Sequence, residues 1–302
     1  MAGRPDPAAP IGVVGVGNMG LAMAQRLLDR GHCVVARDIR PEAEAHAQAA
    51  GARVASDCAA LAQQCALLIV AVVDAAQNEA VLFGERGAHE GLHDASTVML
   101  CSTIGPRDVE SLAARLGELN VACIDAPMSG GPARARDGTM SLMVACPDAA
   151  FLGHEPVLRT LSSRLVRLGE RIGDGARTKL VNNLLAAVNL TAAAEALAIA
   201  ERLGLDARRT LQVLEQSSAQ SWIASDRLPR ALNGDFEPRA HTSLLAKDTT
   251  LAMAMAADAG LQSLLGATAQ RLFARACKQG LAALDDASVL TLMRREFAPD
   301  RA

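Results

Sequence analysis

The residues best suited to acid–base chemistry are Lys179 and Asn183, which stand four positions apart in a run rich in Ala and Leu. On a helix this spacing places both side chains on one face, which is otherwise made apolar by Leu180, Leu184 and Ala187. Such a lysine either extends its ammonium group to water at a domain edge, or has a pKa lowered by burial toward about 7–8, where it can exchange protons with a substrate. The pair alone leaves both interpretations open.

The glycine-rich segment Ser129-Gly130-Gly131 follows a predicted strand. Its hydroxyl and backbone N–H groups are suitable donors to a substrate carboxylate, although an ordinary turn has the same composition. We do not predict that Ser129 is a nucleophile, because neither a G-x-S-x-G motif nor a histidine partner accompanies it.

A third motif, Gly15-Val16-Gly17-Asn18-Met19-Gly20, lies between the short run Ile11–Val14 and a helix predicted at about 19–30. A second predicted strand, 33–37, is followed by Asp38. A strand, a G-x-G-x-x-G turn, a helix and an acidic residue about 20 positions later form the fingerprint of a dinucleotide site. The glycines allow a pyrophosphate to approach the helix N-terminus, and we expect Asp38 to bind the adenosine ribose hydroxyls.

The segments that position these motifs alternate between strand and helix. Further strands are predicted at 53–55, 67–73, 97–101, 121–125, 140–145 and 164–169. This alternation indicates an α/β fold with a doubly wound parallel sheet of the Rossmann type. Ligands of such sheets bind at the carboxyl ends of the strands. We therefore expect Val72-Val73, Ser102-Thr103 and the segment 125–131 to share one rim.

After Gly173 the periodicity is only helical, beginning with a long helix at about 176–203 that Asp174 or Thr178 can cap. Shorter helices are predicted at 207–217, 220–232, 241–259, 262–279 and 286–296. We expect a flexible tail at 1–10, a dinucleotide-binding domain at 11–172, and an all-helical substrate and oligomerisation domain at 173–302. The long helix joins the two domains.

The composition describes a globular protein: of 302 residues, 50% are hydrophobic and 21% charged, with a net charge of −3. The charge and the scarcity of aromatic residues, five Phe and one Trp, argue against nucleic-acid binding. Seven cysteines without a C-x-x-C pair are typical of a reducing cytosol. The first ten residues lack the apolar region of a signal peptide, and no apolar run approaches the roughly 18 residues of a membrane span. We therefore expect a cytoplasmic protein without a membrane partner.

The segment His89-Glu90-Gly91-Leu92-His93 has the spelling of the H-E-x-x-H zinc motif. That motif requires a continuous helix. Gly84, Gly87 and Gly91, together with the strand predicted from Thr97, instead indicate a surface loop. We therefore predict no metal site.

An oxidoreductase on this fold needs a group that exchanges a proton with the alcohol as hydride leaves. The chain has no Tyr, and the only histidine near another motif is His241, for which exposure to solvent is the simpler interpretation. Lys179 is the candidate that remains.

Four motifs fall in the order and spacing of the β-hydroxyacid dehydrogenase family, which the chain resembles from Ile11 to about Met293. They are Gly15–Gly20, Asp125–Gly131, Gly175-x-x-x-Lys179-x-x-Asn182-Asn183 and Lys247-Asp248. The family includes 3-hydroxyisobutyrate dehydrogenase and tartronate semialdehyde reductase, and it is related to 6-phosphogluconate dehydrogenase. The resemblance implies hydride transfer between a small hydroxycarboxylic acid and NAD, with NADP as the alternative cofactor.

The family's motifs also imply roles for single residues. Lys179, Asn183 and Ser129 form the expected catalytic set, with Lys179 as the acid/base. Further substrate contacts are expected from Gly130, Gly131, Asn182 and Trp222, and further cofactor contacts from Val72, Val73, Gln77, Thr103 and Lys247. Members commonly form dimers or tetramers through the helical domain, so we expect a homodimer or homotetramer.

Two segments depart from the family pattern. Ala36-Arg37-Asp38 lacks the usual aromatic residue before the acidic one, and Val72-Val73 replaces the usual Leu-Pro. Neither departure removes a catalytic group.

Three weaker patterns resemble the L-threonate dehydrogenase branch: Ala76–Gly84, Ser221-Trp222 with Arg227-Leu228-Pro229, and Asp285–Ser288. A four-carbon polyhydroxy acid is therefore the first expected substrate, with hydroxyl partners among Asn182, Asn183, Ser221 and Lys247. 3-Hydroxyisobutyrate, glycerate and tartronate semialdehyde remain alternatives. A non-catalytic dinucleotide-binding protein or an imine reductase is disfavoured by the presence of Lys179.

Overall fold

The computed structural model describes residues 9–297, which divide between Lys179 and Leu180 into two compact units. The first unit (9–179) is a sheet with helices on both faces, and the second unit (180–297) is helical. These architectures confirm the predicted fold class. Of the predicted tail, residues 1–8 lie outside the described part of the chain.

The strands are β1 (Ile11–Val14), β2 (Val34–Arg37), β3 (Arg53–Val54), β4 (Leu67–Val70), β5 (Thr97–Leu100), β6 (Ala122–Asp125), β7 (Met128–Ser129), β8 (Ser141–Ala145) and β9 (Arg164–Gly169). The helices of the first unit are α1 (Asn18–Asp29), α2 (Pro41–Ala49), α3 (Cys58–Ala62), α4 (Ala75–Phe83), α5 (Pro106–Glu118), α6 (Gly131–Asp137) and α7 (Asp148–Leu161). The long helix α8 (Asp174–Arg202) begins in the first unit and continues in the second. It is followed by α9 (Ala207–Glu215), α10 (Trp222–Leu232), α11 (Thr242–Asp258), α12 (Leu264–Ala276) and α13 (Val289–Glu296).

The sheet has the order β3-β2-β1-β4-β5-β6-β8-β7, with β9 beside β8. Strands β1 to β6 pair in parallel, whereas β8 is antiparallel to both β6 and β7. The sheet is thus parallel from β3 to β6, as predicted, and mixed at the β6-β8-β7 end, which the sequence did not indicate. The two residues of β7 are too few to show a periodicity, and the seven-residue helix α6 was hidden by the turn-like sequence Gly130-Gly131-Pro132.

Apolar side chains fill both faces of the sheet in the first unit. On one face α1 buries Met23 and Leu27 completely, and on the other α5 buries Leu112 and Leu116. Complete burial of such a side chain stabilises the fold by about 1.5–3 kcal/mol. These two layers hold the strand ends rigidly in place.

A separate apolar core supports the second unit. Leu190 and Leu197 of α8 are completely buried with Leu228 of α10, Phe273 of α12 and Leu290 of α13. Within the described residues, α8 is the one helix long and apolar enough to cross a membrane by length and composition alone. This corrects the expectation that no segment reaches that length. The core helix of a soluble protein passes the same test, and the burial of Leu190 and Leu197 fits a core helix.

A buried ion-pair cluster links α10 to the segment before α13. Arg227 Nε donates to Asp286 Oδ1 over 2.7 Å, and Arg230 Nη1 donates to Asp285 Oδ2 over 3.2 Å. Burial raises the pKa of Asp286 to about 7, against the opposing charge of Arg227. Thr242 Oγ1 also lies 2.9 Å from Ser288 Oγ. Together these contacts show that the segments 227–229 and 285–288, which resemble the L-threonate dehydrogenase branch, contribute to the internal structure of this unit.

Candidate active site

The ends of five neighbouring parallel strands lie level with one another in the first unit. Val14 pairs with Arg37 on one side and with Val70 on the other, Val70 pairs with Leu100, and Leu100 pairs with Asp125. The predicted cofactor and substrate segments 15–20, 38, 72–73, 102–103 and 126–131 therefore begin at one edge of the sheet. This edge is where ligands of doubly wound sheets bind.

The turn after β1 can be built only with glycine at two positions. Gly15 has φ +86°, and a Cβ on it would lie 2.8 Å from the carbonyl oxygen of Ala71. A Cβ on Gly20 would overlap the carbonyl oxygen of Gly15. The turn therefore packs closely against the segment that follows β4.

The N-terminus of α1 has no side-chain cap, unlike those of α3 and α4. Asp57 caps α3 by accepting from Ala60 N over 2.7 Å, and Asp74 caps α4 by accepting from Gln77 N over 2.8 Å. The residue before α1 is Gly17, which has no side chain with which to cap. Open N–H groups at a helix N-terminus suit a phosphate, so this turn fits the pyrophosphate of a dinucleotide.

A carboxylate and a guanidinium flank this turn on the β2 side. Asp38 is buried, and its Oδ1 accepts from Arg40 N over 3.0 Å and from Arg40 Nε over 3.2 Å. Arg40 Nη2 lies 3.2 Å from where a Cβ on Gly17 would be. Arg37 pairs with Glu44 and also donates to the backbone carbonyl of Asp38. The Arg40 guanidinium, which lies beside the turn, is thus already bound to the Asp38 carboxylate.

The segments after β4 and β5 are tied to α4 by amide side chains. Val73 N donates to Gln77 Oε1 over 2.9 Å, which brings together two predicted cofactor residues. Asn78 is completely buried, and its Nδ2 donates to the Asp74 carbonyl while its Oδ1 accepts from Ser102 Oγ. This last bond fixes the residue that precedes Thr103.

The predicted substrate turn begins on the antiparallel part of the sheet. Ser129 ends β7, opposite Ser141 of β8. The next residues, Gly130 and Gly131, have φ angles of +130° and +76°, and α6 starts at Gly131. Glycine is required here because other residues rarely adopt such angles.

Lys179 lies one turn after the start of α8, and its side chain is only 7% exposed. The start of this helix is held by Asp125, whose Oδ2 accepts from Gly173 N over 2.9 Å and from Ala176 N over 3.1 Å. The predicted caps, Asp174 and Thr178, are not used in this way, and Asp174 instead pairs with Arg177 over 2.9 Å. Burial raises the pKa of Asp125 to about 6, although backbone N–H donors favour its charged form.

In the second unit Asn183 is part of a chain of polar groups. Its Nδ2 donates to Asp248 Oδ2 over 2.6 Å, and its Oδ1 accepts from Asn182 Nδ2 over 3.0 Å. The Lys247 ammonium lies 2.8 Å from Asp248 Oδ1. Asn183 and Asp248 are buried, whereas Asn182 is exposed. Three predicted site residues are thus brought together around Asp248.

Two other predicted substrate residues, Ser221 and Trp222, stand at the start of α10. The Ser221 hydroxyl caps this helix by accepting from Ala224 N over 3.4 Å, and Trp222 is half exposed.

The H-E-x-x-H segment does not form an α-helix. Residues 88–90 make a single 3₁₀ turn, and His89 Nδ1 lies 3.0 Å from the carbonyl oxygen of Leu82. Among residues 9–297 no three His, Cys, Asp or Glu side chains are grouped as metal ligands.

Comparison with known proteins shows the family. Residues 10–169 match the NAD binding domain of 6-phosphogluconate dehydrogenase, and residues 173–293 match the NAD-binding domain of NADP-dependent 3-hydroxyisobutyrate dehydrogenase. L-Threonate dehydrogenase from Cupriavidus necator is 36% identical over 97% of this chain and 98% of that protein. The chain belongs to the β-hydroxyacid dehydrogenase family. It is an NAD(P)-dependent hydroxyacid dehydrogenase, as the resemblance predicted.

Other members of the family align along the same length. Human mitochondrial 3-hydroxyisobutyrate dehydrogenase is 30% identical over 95% of this dehydrogenase and 87% of that protein. The crystal structure of 3-hydroxyisobutyrate dehydrogenase from Salmonella typhimurium is 34% identical, covers 94% of this chain and 99% of its own, and has a TM-score of 0.87.

Asp125, Asp248 and Asn78 of this dehydrogenase carry polar contacts that the sequence analysis did not assign. Asp248 entered the sequence motifs only as the residue after Lys247, yet Leu245, Asp248, Thr249 and Ala252 are all buried. Their i, i+3, i+4, i+7 spacing was the available signal. Nothing local marks Asp125, because its partners lie about 50 positions later in the chain.

Proposed function

We propose that this dehydrogenase oxidises a four-carbon polyhydroxy acid of the L-threonate type with NAD, using Lys179 as the proton acceptor. The observation that carries the mechanism is the burial of Lys179 one turn into α8. Burial keeps the Lys179 side chain away from bulk water, and an amine in such a place can exchange a proton with a substrate hydroxyl group. The names of the L-threonate dehydrogenase relatives support the choice of substrate.

The cofactor would be held by the first unit. The open N-terminus of α1 fits its pyrophosphate, and Asp38 fits the ribose hydroxyls. When bound, the chemistry it supplies is acceptance of a hydride from the carbon that bears the hydroxyl group. The further residues that we propose to contact the cofactor are Val72, Val73, Gln77, Thr103 and Lys247.

The substrate carboxylate is proposed to bind the turn Ser129-Gly130-Gly131. Left-handed glycines direct consecutive backbone N–H groups outward, and the serine hydroxyl adds a donor. The substrate hydroxyl is proposed to donate its proton to Lys179 Nζ while Asn183 holds a neighbouring oxygen. Positioning of this kind, together with the proton transfer, provides the rate enhancement.

We propose NAD as the preferred cofactor because the Asp38 carboxylate stands where a 2′-phosphate would be received, and like charges repel. Arg40 moderates the preference, since its guanidinium is bound to Asp38. We also propose a cytoplasmic homodimer or homotetramer, by analogy with the family.

A second candidate substrate is 3-hydroxyisobutyrate, which the names of the human and Salmonella relatives favour. It offers one hydroxyl group, whereas a polyhydroxy acid would use more of the polar chain Asn182–Asn183–Asp248. The discriminating experiment is a screen of C3–C5 hydroxy acids with NAD and NADP, monitored at 340 nm. A higher kcat/KM for 3-hydroxyisobutyrate than for every polyhydroxy acid would reject the first candidate.

A further inference from the structure

The carboxylate of Asp125 joins the end of β6 to the start of α8. Asp125 is 1% exposed, and its Oδ2 accepts from Gly173 N over 2.9 Å and from Ala176 N over 3.1 Å. The first four N–H groups of a helix have no partner within the helix. Here two N–H groups at the helix start are bound by a residue of the sheet, 48 positions before Gly173.

The backbone of α8 approaches this carboxylate too closely for a side chain at position 175. A Cβ on Gly175 would lie 2.7 Å from Asp125 Oδ1 and 2.8 Å from Oδ2. A residue larger than glycine would have to displace the carboxylate or the helix. The first residue of the pattern Gly175-x-x-x-Lys179 is therefore explained by its contact with Asp125.

The two ends of this contact lead directly to two segments of the proposed mechanism. Lys179 is four positions after Gly175, which is about one turn of the same helix. On the other side β6 continues through Ala126 to the substrate turn at Ser129. Asp125, Gly175 and Lys179 all belong to the first unit.

We propose that Asp125 is a positioning residue for Lys179: its carboxylate fixes the first turn of α8, and with it the place of the Lys179 amine relative to the end of β6. This inference rests on the proposed role of Lys179 as proton acceptor. Burying a carboxylate costs free energy unless hydrogen bonds or ion pairs compensate its charge. Here the charge binds helix N–H groups, to which the helix dipole also attracts it.

The test compares Asp125→Asn and Gly175→Ala with a matched control, Asp174→Asn. Asp125→Asn keeps the shape of the side chain and one acceptor oxygen, but it removes the negative charge that the helix N–H groups bind. Gly175→Ala keeps the carboxylate and displaces it from the helix side. Asp174 is a nearby carboxylate of the same helix turn that pairs with Arg177 instead. All variants are assayed as full chains, with L-threonate as the hydroxy acid and NAD as the cofactor.

We expect kcat to fall at least ten-fold in both variants, because a misplacement of about 1 Å can cost about 10²-fold. The KM for NAD should stay within about two-fold, and Asp174→Asn should behave as wild type. A further variant, Asp125→Ala, removes both oxygens and should lose more kcat than Asp125→Asn, which keeps one acceptor oxygen. The apparent pKa in the pH profile of kcat should shift in both variants if the surroundings of the amine change.

Three results distinguish the possible failures. If Lys179→Met keeps wild-type kcat, the proposed function fails, whatever Asp125 does. If Lys179→Met is inactive while folded Asp125→Asn and Gly175→Ala keep wild-type kcat and pH profile, only the positioning role is overturned. If the two variants lose activity only in proportion to their loss of folded protein, measured by circular dichroism, Asp125 is a structural residue and the proposal is wrong.

Discussion

Asn183 and Asp248 form a hydrogen bond of 2.6 Å between a side-chain amide nitrogen and a carboxylate oxygen, and both side chains are buried. An ionised carboxylate only accepts hydrogen bonds, so the amide nitrogen of Asn183 must face Asp248. The orientation of the amide oxygen is thereby fixed as well. Asp248 therefore decides which group Asn183 can present to a ligand.

Replacement of Asp248 by Asn should reduce kcat/KM for the hydroxy acid by about 10- to 100-fold. A hydrogen bond to a charged group contributes about 1.5–3 kcal/mol, and its loss would free the Asn183 amide to turn. NAD binding, measured by fluorescence titration, should change much less. Asp258→Asn, an exposed position on the same helix, is the control. Equal loss for both variants would contradict this role of Asp248.

Lys179→Met should lower kcat by at least about 10²-fold, because it keeps the apolar stem and removes the proton carrier. The chain offers a matched control in Lys278→Met, since Lys278 is an exposed lysine. NAD affinity should be unchanged in both variants, and the ionisation that controls the pH profile of oxidation should disappear only in Lys179→Met. More than a tenth of wild-type kcat in a folded Lys179→Met protein would show that the proton goes elsewhere.

Asp38→Ser should reduce the preference for NAD over NADP. The change removes the charge that repels a 2′-phosphate and releases the guanidinium of Arg40, which Asp38 now binds. The ratio of kcat/KM values for the two cofactors should fall by about ten-fold, or roughly 1.4 kcal/mol. Glu42→Ser, at an exposed position on α2, should leave the ratio unchanged. An unchanged ratio in Asp38→Ser would mean that Asp38 does not contact the ribose.

The buried ion pair of the second unit should be far more sensitive to mutation than an exposed one. Asp286→Ala removes one carboxylate partner of the buried Arg227 while Asp226 and Asp285 remain, so the free energy of unfolding should fall by about 1.5–3 kcal/mol. Glu201→Ala removes the partner of Arg294 at the surface and should cost about 0–1 kcal/mol. Urea unfolding measures both. Similar values for the two variants would show that the cluster contributes no more than a surface pair.

His154 should make the first unit sensitive to acid. Burial lowers its pKa from the usual 6.5 to about 4, so between these pH values the unfolded chain binds the proton more readily. The neutral His154 therefore has no pH-dependent effect above about pH 6.5. As the pH falls from about 6.5 toward 4, proton binding by the unfolded chain lowers the free energy of unfolding. Burial raises the pKa values of Asp125 and Asp286, which acts in the opposite direction. The measurement is therefore the unfolding free energy of wild type minus that of His154→Leu, determined at pH 7 and at pH 5. This difference should be lower at pH 5 than at pH 7.

Local patterns were sufficient for most of the first unit. The run Ile11–Val14, the glycine turn and Asp38 occur together in sequence, and the structure assembles them at the end of β1 and β2 as predicted. The predictions that failed concern contacts between residues that are far apart in the sequence. The carboxylate that holds α8 comes from β6, whereas the two caps predicted from sequence were the nearest polar residues in the chain.

In the second unit, contacts between residues far apart in the sequence again decided what could not be predicted. Arg227, Asp285 and Asp286 are charged, which predicts exposure, yet they are buried because their charges compensate one another. The pairs are separated by nearly 60 positions, so no periodicity shows them. Asp248 was missed for a related reason, because its partner Asn183 lies 65 positions earlier in the chain.

The contact between Asp125 and the start of α8 also has a consequence for folding. The helix cannot bind its first N–H groups to this carboxylate until β6 has joined the sheet, so its N-terminal turn depends on a loop of about 50 residues having closed. A fragment that begins at Gly173 would carry α8 with a frayed first turn, even where the apolar core around Leu190 holds the rest of the helix. In the intact chain, amide exchange at Ala176 should report the opening of the sheet at the carboxyl end of β6 and not the stability of the helix that contains it.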